Sequence, residues 1–181
     1  MKNISLEIVS KIRKIIKNKK GFLHEPYMIG NEKKYLKNCV DTTFVSSSGK
    51  YINKFENKIK NFTKSKFVAL TNSGTSALHI AYLISGIRKN DEVLIPSLNY
   101  VASSNVACYI GAIPHFIEND NSNLGINISK LENYLKEICF RRKGYTFNKS
   151  TKNRISSIVV THLYGSMGDM SRLLKLCKKY N

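Results

Sequence analysis

Short apolar segments alternate with segments of helical periodicity, and this alternation limits the fold more than any other feature of the sequence. The apolar segments, each the length of one strand, are residues 67–71, 92–95, 113–118 and 155–161. The segments with helical spacing are residues 50–63, 75–85, 100–110, 129–138 and 169–179. Strands that alternate with helices predict an α/β fold in which helices flank a mainly parallel sheet.

The composition of two segments predicts their place in the sheet. Residues 67–71 (FVALT) and 155–161 (ISSIVVT) are expected to be central strands. The second of these is so apolar that it is expected to be buried on both faces. Gly86 and Gly111 each follow a helical segment, where glycine commonly ends a helix.

The region after residue 128 contains a helix start and a basic stretch. Ser129 and Glu132 have the spacing of a capping box, which predicts that Ser129 is the N-cap of a helix reaching about Ile138. Residues 140–154 are polar and basic, so we expect an exposed loop there.

Length and cysteine usage narrow the class of protein. A chain of 181 residues is long enough for one core and short for two domains. No apolar run approaches the ~18–20 residues of a membrane span, so no membrane association is expected. The cysteines, Cys39, Cys108, Cys139 and Cys177, include no C-x-x-C pair, and the chain begins without a secretory apolar region. Reduced thiols in a cytoplasmic protein are the interpretation that follows.

The formal charge of +18 raises nucleic acid or an anionic surface as a partner. The basic residues are mostly lysines dispersed along the chain, and no zinc-finger, RNP or helix-turn-helix pattern accompanies them. A lysine-rich solvated surface is therefore favoured, with a nucleic-acid-binding module as the alternative. Residues 1–20 predict a basic amphipathic helix. Its apolar side is open to three interpretations: packing on the body, on a partner subunit, or on a membrane surface.

Three turns are expected at the carboxyl edge of the sheet, where ligands of such folds bind. They are residues 72–76, 96–100 and 162–168. In the first turn, the amides of Gly74, Thr75 and Ser76 begin a helix, and two of these residues add hydroxyl groups. Such donors suit a phosphate group. Capping of the helix by Ser73 or Thr75 explains the same residues, and neither phosphate-loop fingerprint is present.

The other two turns supply an aromatic residue and a histidine. Tyr100 follows a predicted strand and could stack on a planar cofactor, or it could be a half-buried packing residue. His162 could contact a cofactor ring or a substrate, or it could form a structural hydrogen bond. A flat, phosphorylated cofactor fits all three turns, and pyridoxal phosphate has that shape. The histidines His24, His79, His115 and His162 lack ligand spacing, so no metal site is expected.

Three long segments resemble the DegT/StrS-type nucleotide-sugar aminotransferases, which are fold-type-I enzymes dependent on pyridoxal phosphate. The segments are NKFENKIKNFTKSKFVALTNSGTSALHIAYL, NDEVLIPSLNYVASSNVACYIGAIPHFIE and IVVTHLYGSMGDM. The shorter segments HEPYMIGNE, VSSSGKYINKFE and FRRKGYTFNK look most like the branch that serves legionaminic acid and related cell-envelope sugars. The resemblance implies a three-layer α/β/α large domain and a homodimer. It also implies amination of a UDP-linked 4-keto-6-deoxy-N-acetylhexosamine, with glutamate as the amino donor.

The resemblance also implies roles for individual residues. Gly74, Thr75 and Ser76 correspond to the turn that binds the cofactor phosphate. Tyr100 corresponds to the aromatic residue of the family motif P-S-x-T-F-x-A-T, which stacks on the pyridine ring. Ser103 stands where the family has a threonine near the cofactor.

The remaining correspondences concern the active-site rim and the substrate. His162 matches the histidine of the family's H-L-[FY]-G segment, close to the active site. Pro26, Tyr27 and Asn31 resemble the substrate side of the family. The implied domains are an N-terminal helical, substrate-side segment (residues 1–48) and the N-terminal half of the cofactor-binding large domain (residues 49–181).

Two functional groups of the family have no counterpart before Asn181. They are the lysine that forms a Schiff base with the cofactor and the aspartate that pairs with the pyridine nitrogen. The chain is therefore expected to be a truncated large domain that is inactive alone. A gene fragment, a truncated reading frame and one piece of a split protein all remain open. A noncatalytic partner of a full-length aminotransferase is an alternative function.

Overall fold

The computed structural model describes residues 4–17 and 26–181. His24 and residues 1–3 and 18–20 of the predicted N-terminal helix lie outside the described residues. The chain divides into two compact units, Met1–Val68 and Ala69–Asn181. The functional division that the sequence predicts after residue 48 stays a prediction.

The described residues of the first unit form three helices. They are α1 (Ile4–Ile15), α2 (Glu32–Asp41) and α3 (Lys50–Thr63). The helix predicted in residues 1–20 is thus confirmed over Ile4–Ile15, and the one predicted in residues 50–63 is confirmed as α3. Helices α2 and α3 are joined by an aromatic contact, because the rings of Tyr35 and Tyr51 have centroids 4.9 Å apart. The hydroxyl of Tyr51 also donates to Asn38 Oδ1 at 3.1 Å.

The second unit contains the predicted parallel sheet. Its strands are β1 (Glu92–Pro96), β2 (Ile113–Ile117) and, after a hairpin formed by β3 (Cys139–Arg142) and β4 (Tyr145–Asn148), β5 (Ile155–Ile158). The order is β2-β1-β5, and both pairings are parallel. The helices are α4 (Gly74–Ile84), α5 (Ala102–Tyr109), α6 (Ile128–Ile138) and α7 (Met170–Tyr180).

Strand β1 separates two apolar cores because its successive side chains point to opposite faces of the sheet. Val93 and Ile95 pack in the core that α4 and α5 cover. Leu94 lies in the core that α6 and α7 cover. This alternation gives the expected three-layer α/β/α arrangement. All five residues of β1 are buried, so β1 is the central strand.

The two segments expected to be central differ from the prediction. Residues 67–71 form no strand, and the three-stranded sheet does not contain them. Residues 155–161 contribute only the four residues of β5, at one end of the sheet. Of these four, only Ile155 is buried, so burial on both faces is not observed. Strand formation needs a continuous backbone ladder with a neighbour, which an apolar pattern alone does not specify.

The predicted exposed loop at residues 140–154 is largely a hairpin. Strands β3 and β4 pair antiparallel, and the rings of Phe140 and Phe147 stack with centroids 5.6 Å apart. The connecting residues Lys143 and Gly144 have φ values of 51° and 82°. Two positive φ values are typical of a tight hairpin turn. The basic side chains of the segment obscured its strand pattern.

The helix termini are mostly as predicted, with one correction. Gly86 and Gly111 follow α4 and α5 with φ values of 76° and 77°, which confirms their predicted role. The capping box at Ser129 is wrong, because the N-cap of α6 is Asn127, whose side chain accepts from Lys130 N at 3.1 Å. Asparagine is a strong N-cap residue, and here it begins the helix two residues early.

Candidate functional site

The candidate site lies at the carboxyl edge of the sheet. Strands β1, β2 and β5 are parallel, so their last residues, Pro96, Ile117 and Ile158, end at the same edge. The edge continues beyond Pro96, because Ser97 N donates to Ile117 O at 2.9 Å. The turns that carry Tyr100 and His162 begin here, as the sequence predicts.

The first turn of α4 combines a capped start with free amides. Ser73 is the N-cap, and its Oγ accepts from Ser76 N at 3.2 Å, which confirms the capping interpretation. The amide of Ser76 is therefore engaged within the helix. In the described part of the chain, the amides of Gly74 and Thr75 donate to no acceptor, as expected for a first helical turn. A Cβ built on Gly74 would meet no atom within 4 Å, so the space beside the turn is open.

Tyr100 and Ser103 differ in exposure. Tyr100 is 76% exposed, whereas Ser103 is buried. Ser103 O accepts from the hydroxyl of Tyr82, on α4, at 2.9 Å. Burial raises the pKa of Tyr82 to about 12, which keeps its hydroxyl protonated as a donor. This bond joins the helix that begins at Gly74 to the first turn of α5.

His162 is exposed and precedes a short 3₁₀ turn, Leu163–Gly165. The residue before it, Thr161, donates from Oγ1 to Asn99 Oδ1 at 3.0 Å. The turn of His162 is therefore tied to the turn of Tyr100. The role of His162 near a cofactor stays a prediction.

Two asparagines shape the Tyr100 turn, and the sequence interpretation missed both. Asn99 Oδ1 accepts from Tyr100 N at 2.7 Å. Asn119 Oδ1 accepts from Leu98 N at 2.8 Å, and its Nδ2 donates to Leu124 O at 2.7 Å. Asparagine after a strand is a turn signal, but its distant partners depend on the tertiary fold.

The predicted substrate residues belong to the first unit. Pro26, Tyr27 and Asn31 are all exposed. Asn31 precedes α2, and its side chain makes no capping hydrogen bond. Their role toward a substrate stays a prediction.

The geometry fits a phosphorylated planar ligand in two respects. Free amides at the start of α4 can bind a phosphate oxygen, and the hydroxyl of Thr75 adds a donor. The exposed ring of Tyr100 can stack on a flat ring.

Metal sites and membrane spans were also sought among residues 4–17 and 26–181. Within these residues, no group of three His, Cys, Asp or Glu side chains is placed to bind a metal ion. None of the described helices combines the length and apolar character of a membrane span.

Sequence comparison gives this site a family context. The model of the DegT/DnrJ/EryC1/StrS aminotransferase family matches residues 26–181. The chain is 35% identical to GDP-perosamine synthase of Escherichia coli O157:H7 over 88% of this chain and 39% of that protein. It is 32% identical to a UDP-4-amino-4,6-dideoxy-N-acetyl-β-L-altrosamine transaminase of Campylobacter jejuni, over 76% of this chain and 32% of that protein. The chain thus spans about two fifths of the first of these relatives.

Solved structures confirm the fold. A DegT/DnrJ/EryC1/StrS aminotransferase from Brucella abortus superposes with a TM-score of 0.71 at 19% identity, over 95% of this chain and 40% of that one. The PLP form of a sugar aminotransferase from Streptococcus pneumoniae has a TM-score of 0.66 at 21% identity, over 88% of this chain and 37% of that one. The expected fold-type-I arrangement is therefore confirmed.

Proposed function

Because this chain belongs to the DegT/DnrJ/EryC1/StrS aminotransferase family, whose members depend on pyridoxal phosphate, we propose that it holds that cofactor at the carboxyl edge of its sheet. The observation that carries the proposal is the first turn of α4, where the amides of Gly74 and Thr75 have no acceptor among the described residues and the space beside Gly74 is open. When bound, the cofactor supplies the electron sink of a transamination.

The residues divide between the phosphate and the ring. Gly74 and Thr75 donate their backbone amides to the phosphate, and Thr75 adds its hydroxyl. Ser76 contributes its hydroxyl, because its amide already bonds Ser73. The oxygen of that hydroxyl lies 3.1 Å from Ser73 Oγ, from which it can accept while it donates to the phosphate. Tyr100 covers one face of the ring. Ser103 packs beneath the turn that carries Tyr100, and His162 lies at the rim of the site.

Loss of either ligand-facing side chain is expected to weaken binding of pyridoxamine 5′-phosphate, which needs no covalent bond to the protein. Thr75→Ala removes one hydrogen bond to a charged group, so its dissociation constant is expected to rise about tenfold or more. Tyr100→Ala removes a stacking partner, for an expected rise of about three- to tenfold. Fluorescence titration of the ligand measures both.

Two matched variants control this titration. Ser85→Ala removes a hydroxyl at the opposite end of the same helix, where Ser85 Oγ donates to Tyr82 O. Tyr109→Ala removes an exposed aromatic ring from the last turn of α5. Both controls are expected to bind as the wild type does. Unchanged binding in Thr75→Ala and Tyr100→Ala together would remove these residues from the site.

The proposed reaction is transfer of an amino group from glutamate to a nucleotide-linked keto sugar in cell-envelope polysaccharide biosynthesis. The finer proposal is a UDP-linked 4-keto-6-deoxy-N-acetylhexosamine of the legionaminic acid type, with Pro26, Tyr27 and Asn31 on the substrate side. The similarity to GDP-perosamine synthases, at 35–37% identity, favours a GDP-linked 4-keto-6-deoxy sugar as the second candidate. A homodimer in the cytoplasm completes the proposal, and its thiols, which are all free, suit that compartment.

Residues 1–181 alone are expected to show no glutamate-dependent amination of either sugar nucleotide. The family's Schiff-base lysine has no counterpart in a matching context of this sequence. Incubation of the purified chain with glutamate, cofactor and each 4-keto sugar, followed by chromatography for the amino sugar, tests this. Product formation above that of a boiled control would refute it. The C-terminal part of a relative is then supplied as a second chain, and the amination of UDP-linked and GDP-linked sugars is compared.

A further inference from the structure

Asn99 carries a buried amide nitrogen whose hydrogen-bonding capacity is unused. Among the described residues, Asn99 Nδ2 is shielded from solvent and has no hydrogen-bond partner. Buried polar atoms of this kind are uncommon and call for a partner. The residue lies directly before Tyr100, at the carboxyl edge of the sheet where the candidate site is.

The other half of the same side chain is fully engaged. Asn99 Oδ1 accepts from Tyr100 N at 2.7 Å and from Thr161 Oγ1 at 3.0 Å. The first bond fixes the turn that presents the tyrosine ring. The second joins this turn to the segment that follows β5.

These two bonds fix the orientation of the amide group. The backbone amide of Tyr100 can only donate, so the atom of Asn99 that faces it must be the oxygen. Exchanging oxygen and nitrogen would place two donors against each other. Turning the side chain over therefore does not remove the unused donor, which has no acceptor among the described residues.

We propose that Asn99 is a positioning residue that also contacts the ligand: Oδ1 holds the Tyr100 turn, and Nδ2 donates to an oxygen carried by the ligand's aromatic ring. The proposal rests on the proposed function. A ring oxygen is favoured over the phosphate, because Asn99 adjoins the residue that covers the ring, whereas the phosphate donors begin α4. Threonine, which the family motif has at this position, offers one hydroxyl and could not make all three bonds.

The experiment is a binding titration with two ligands on the full chain. The ligands are pyridoxamine 5′-phosphate and its 3-deoxy analogue, which lacks the ring hydroxyl. Wild type is expected to bind the first about tenfold more tightly, as one hydrogen bond of this kind provides. Neither Asn99→Thr nor Asn99→Asp, which both lack the amide NH₂, is expected to bind the first ligand more tightly than the second. Thr161→Val, which keeps Nδ2, is expected to retain the preference.

Hydrogen exchange at the Tyr100 amide reports the positioning role separately. Exchange is expected to be faster in Asn99→Ala, which lacks the acceptor, and unchanged in Asn99→Asp, which keeps it. The proposal is overturned if the Asn99 variants keep the wild-type preference for the ring hydroxyl. An equal fold-loss of affinity for both ligands would leave that preference unchanged. It would therefore also overturn the proposal, because it indicates a charge or packing effect. Absence of wild-type binding to either ligand would instead overturn the proposed function, and this inference with it.

Discussion

Replacing Glu92 with alanine is expected to lower the free energy of unfolding by about 3–5 kcal/mol, the usual cost of removing one partner from a buried ionic cluster. Glu92 is the first residue of the central strand β1, and only 1% of it is exposed. It therefore lies at the amino edge of the sheet, opposite the candidate site.

The size of this effect follows from the number of partners that Glu92 satisfies. Its carboxylate contacts His115 Nδ1 at 2.6 Å and accepts from Asn148 Nδ2 at 3.0 Å. It also accepts a hydrogen bond from the hydroxyl of Thr151. The other ring nitrogen of His115, Nε2, lies 2.9 Å from the hydroxyl of Tyr134, on α6, and forms a hydrogen bond with it. Without Glu92, the groups from strand β2 and from the hairpin would lose their common acceptor in a buried place.

The same cluster predicts a pH dependence. Burial by itself would raise the pKa of Glu92, but hydrogen bonds from Thr151, Asn148 and His115 outweigh it and hold the pKa below its usual value of 4.5. A carboxyl group with a lowered pKa in the folded chain stabilises the fold above its unfolded pKa, and this contribution is lost as the pH falls through the folded value. The wild type is therefore expected to lose stability below pH 4.5 more steeply than Glu92→Gln does.

Urea denaturation at a series of pH values measures both effects. Glu118→Ala is the matched control, because Glu118 is an exposed carboxylate in an ion pair with Lys130. Exposed pairs of this kind contribute about 0–1 kcal/mol, so the control is expected to change stability little. Equal losses in Glu92→Ala and Glu118→Ala would contradict the importance assigned to the buried cluster.

Local patterns in the sequence were enough to predict an element when all the residues that define it lie within or next to that element. The apolar run closed by Pro96 predicted β1, and Gly86 predicted the end of α4. The alternation of these elements predicted the parallel sheet. Residues 67–71 have the same apolar character, but the described sheet does not include them, because pairing depends on a neighbouring strand rather than on composition.

The Glu92 cluster shows what the sequence could not provide. Asn148 and Thr151 lie 56 and 59 residues from Glu92 and were interpreted as loop residues. His115 showed no ligand spacing, and its actual partner is a carboxylate on the neighbouring strand. At the candidate site, the turns were predictable from strand ends, whereas the bond between Asn99 and Thr161 spans 62 residues. Contacts of such separation exist only once the fold has formed.

Replacing Tyr82 with alanine is expected to lower the free energy of unfolding by about 3–5 kcal/mol, as for other buried aromatic residues. Tyr82 is 5% exposed and packs with Val106 and Ala107 in the core beneath α4 and α5. Tyr82→Phe keeps the ring and removes only the hydroxyl that donates to Ser103 O, for an expected loss of about 1 kcal/mol. Tyr109→Ala, which removes an exposed ring, is the control and is expected to change stability little.

The comparison of wild type with Tyr82→Phe also reveals the titration of the hydroxyl. Burial raises the pKa of Tyr82 from 10.0 to about 12, so the folded chain retains a proton that the unfolded chain has lost. This contribution is complete below pH 10.0 and is lost as the pH rises toward about 12. Wild type is therefore expected to lose stability over this range more steeply than Tyr82→Phe, whose side chain does not titrate. Parallel curves for the two proteins would show that the pKa of Tyr82 is not raised in the folded chain, and so that its hydroxyl is not buried there.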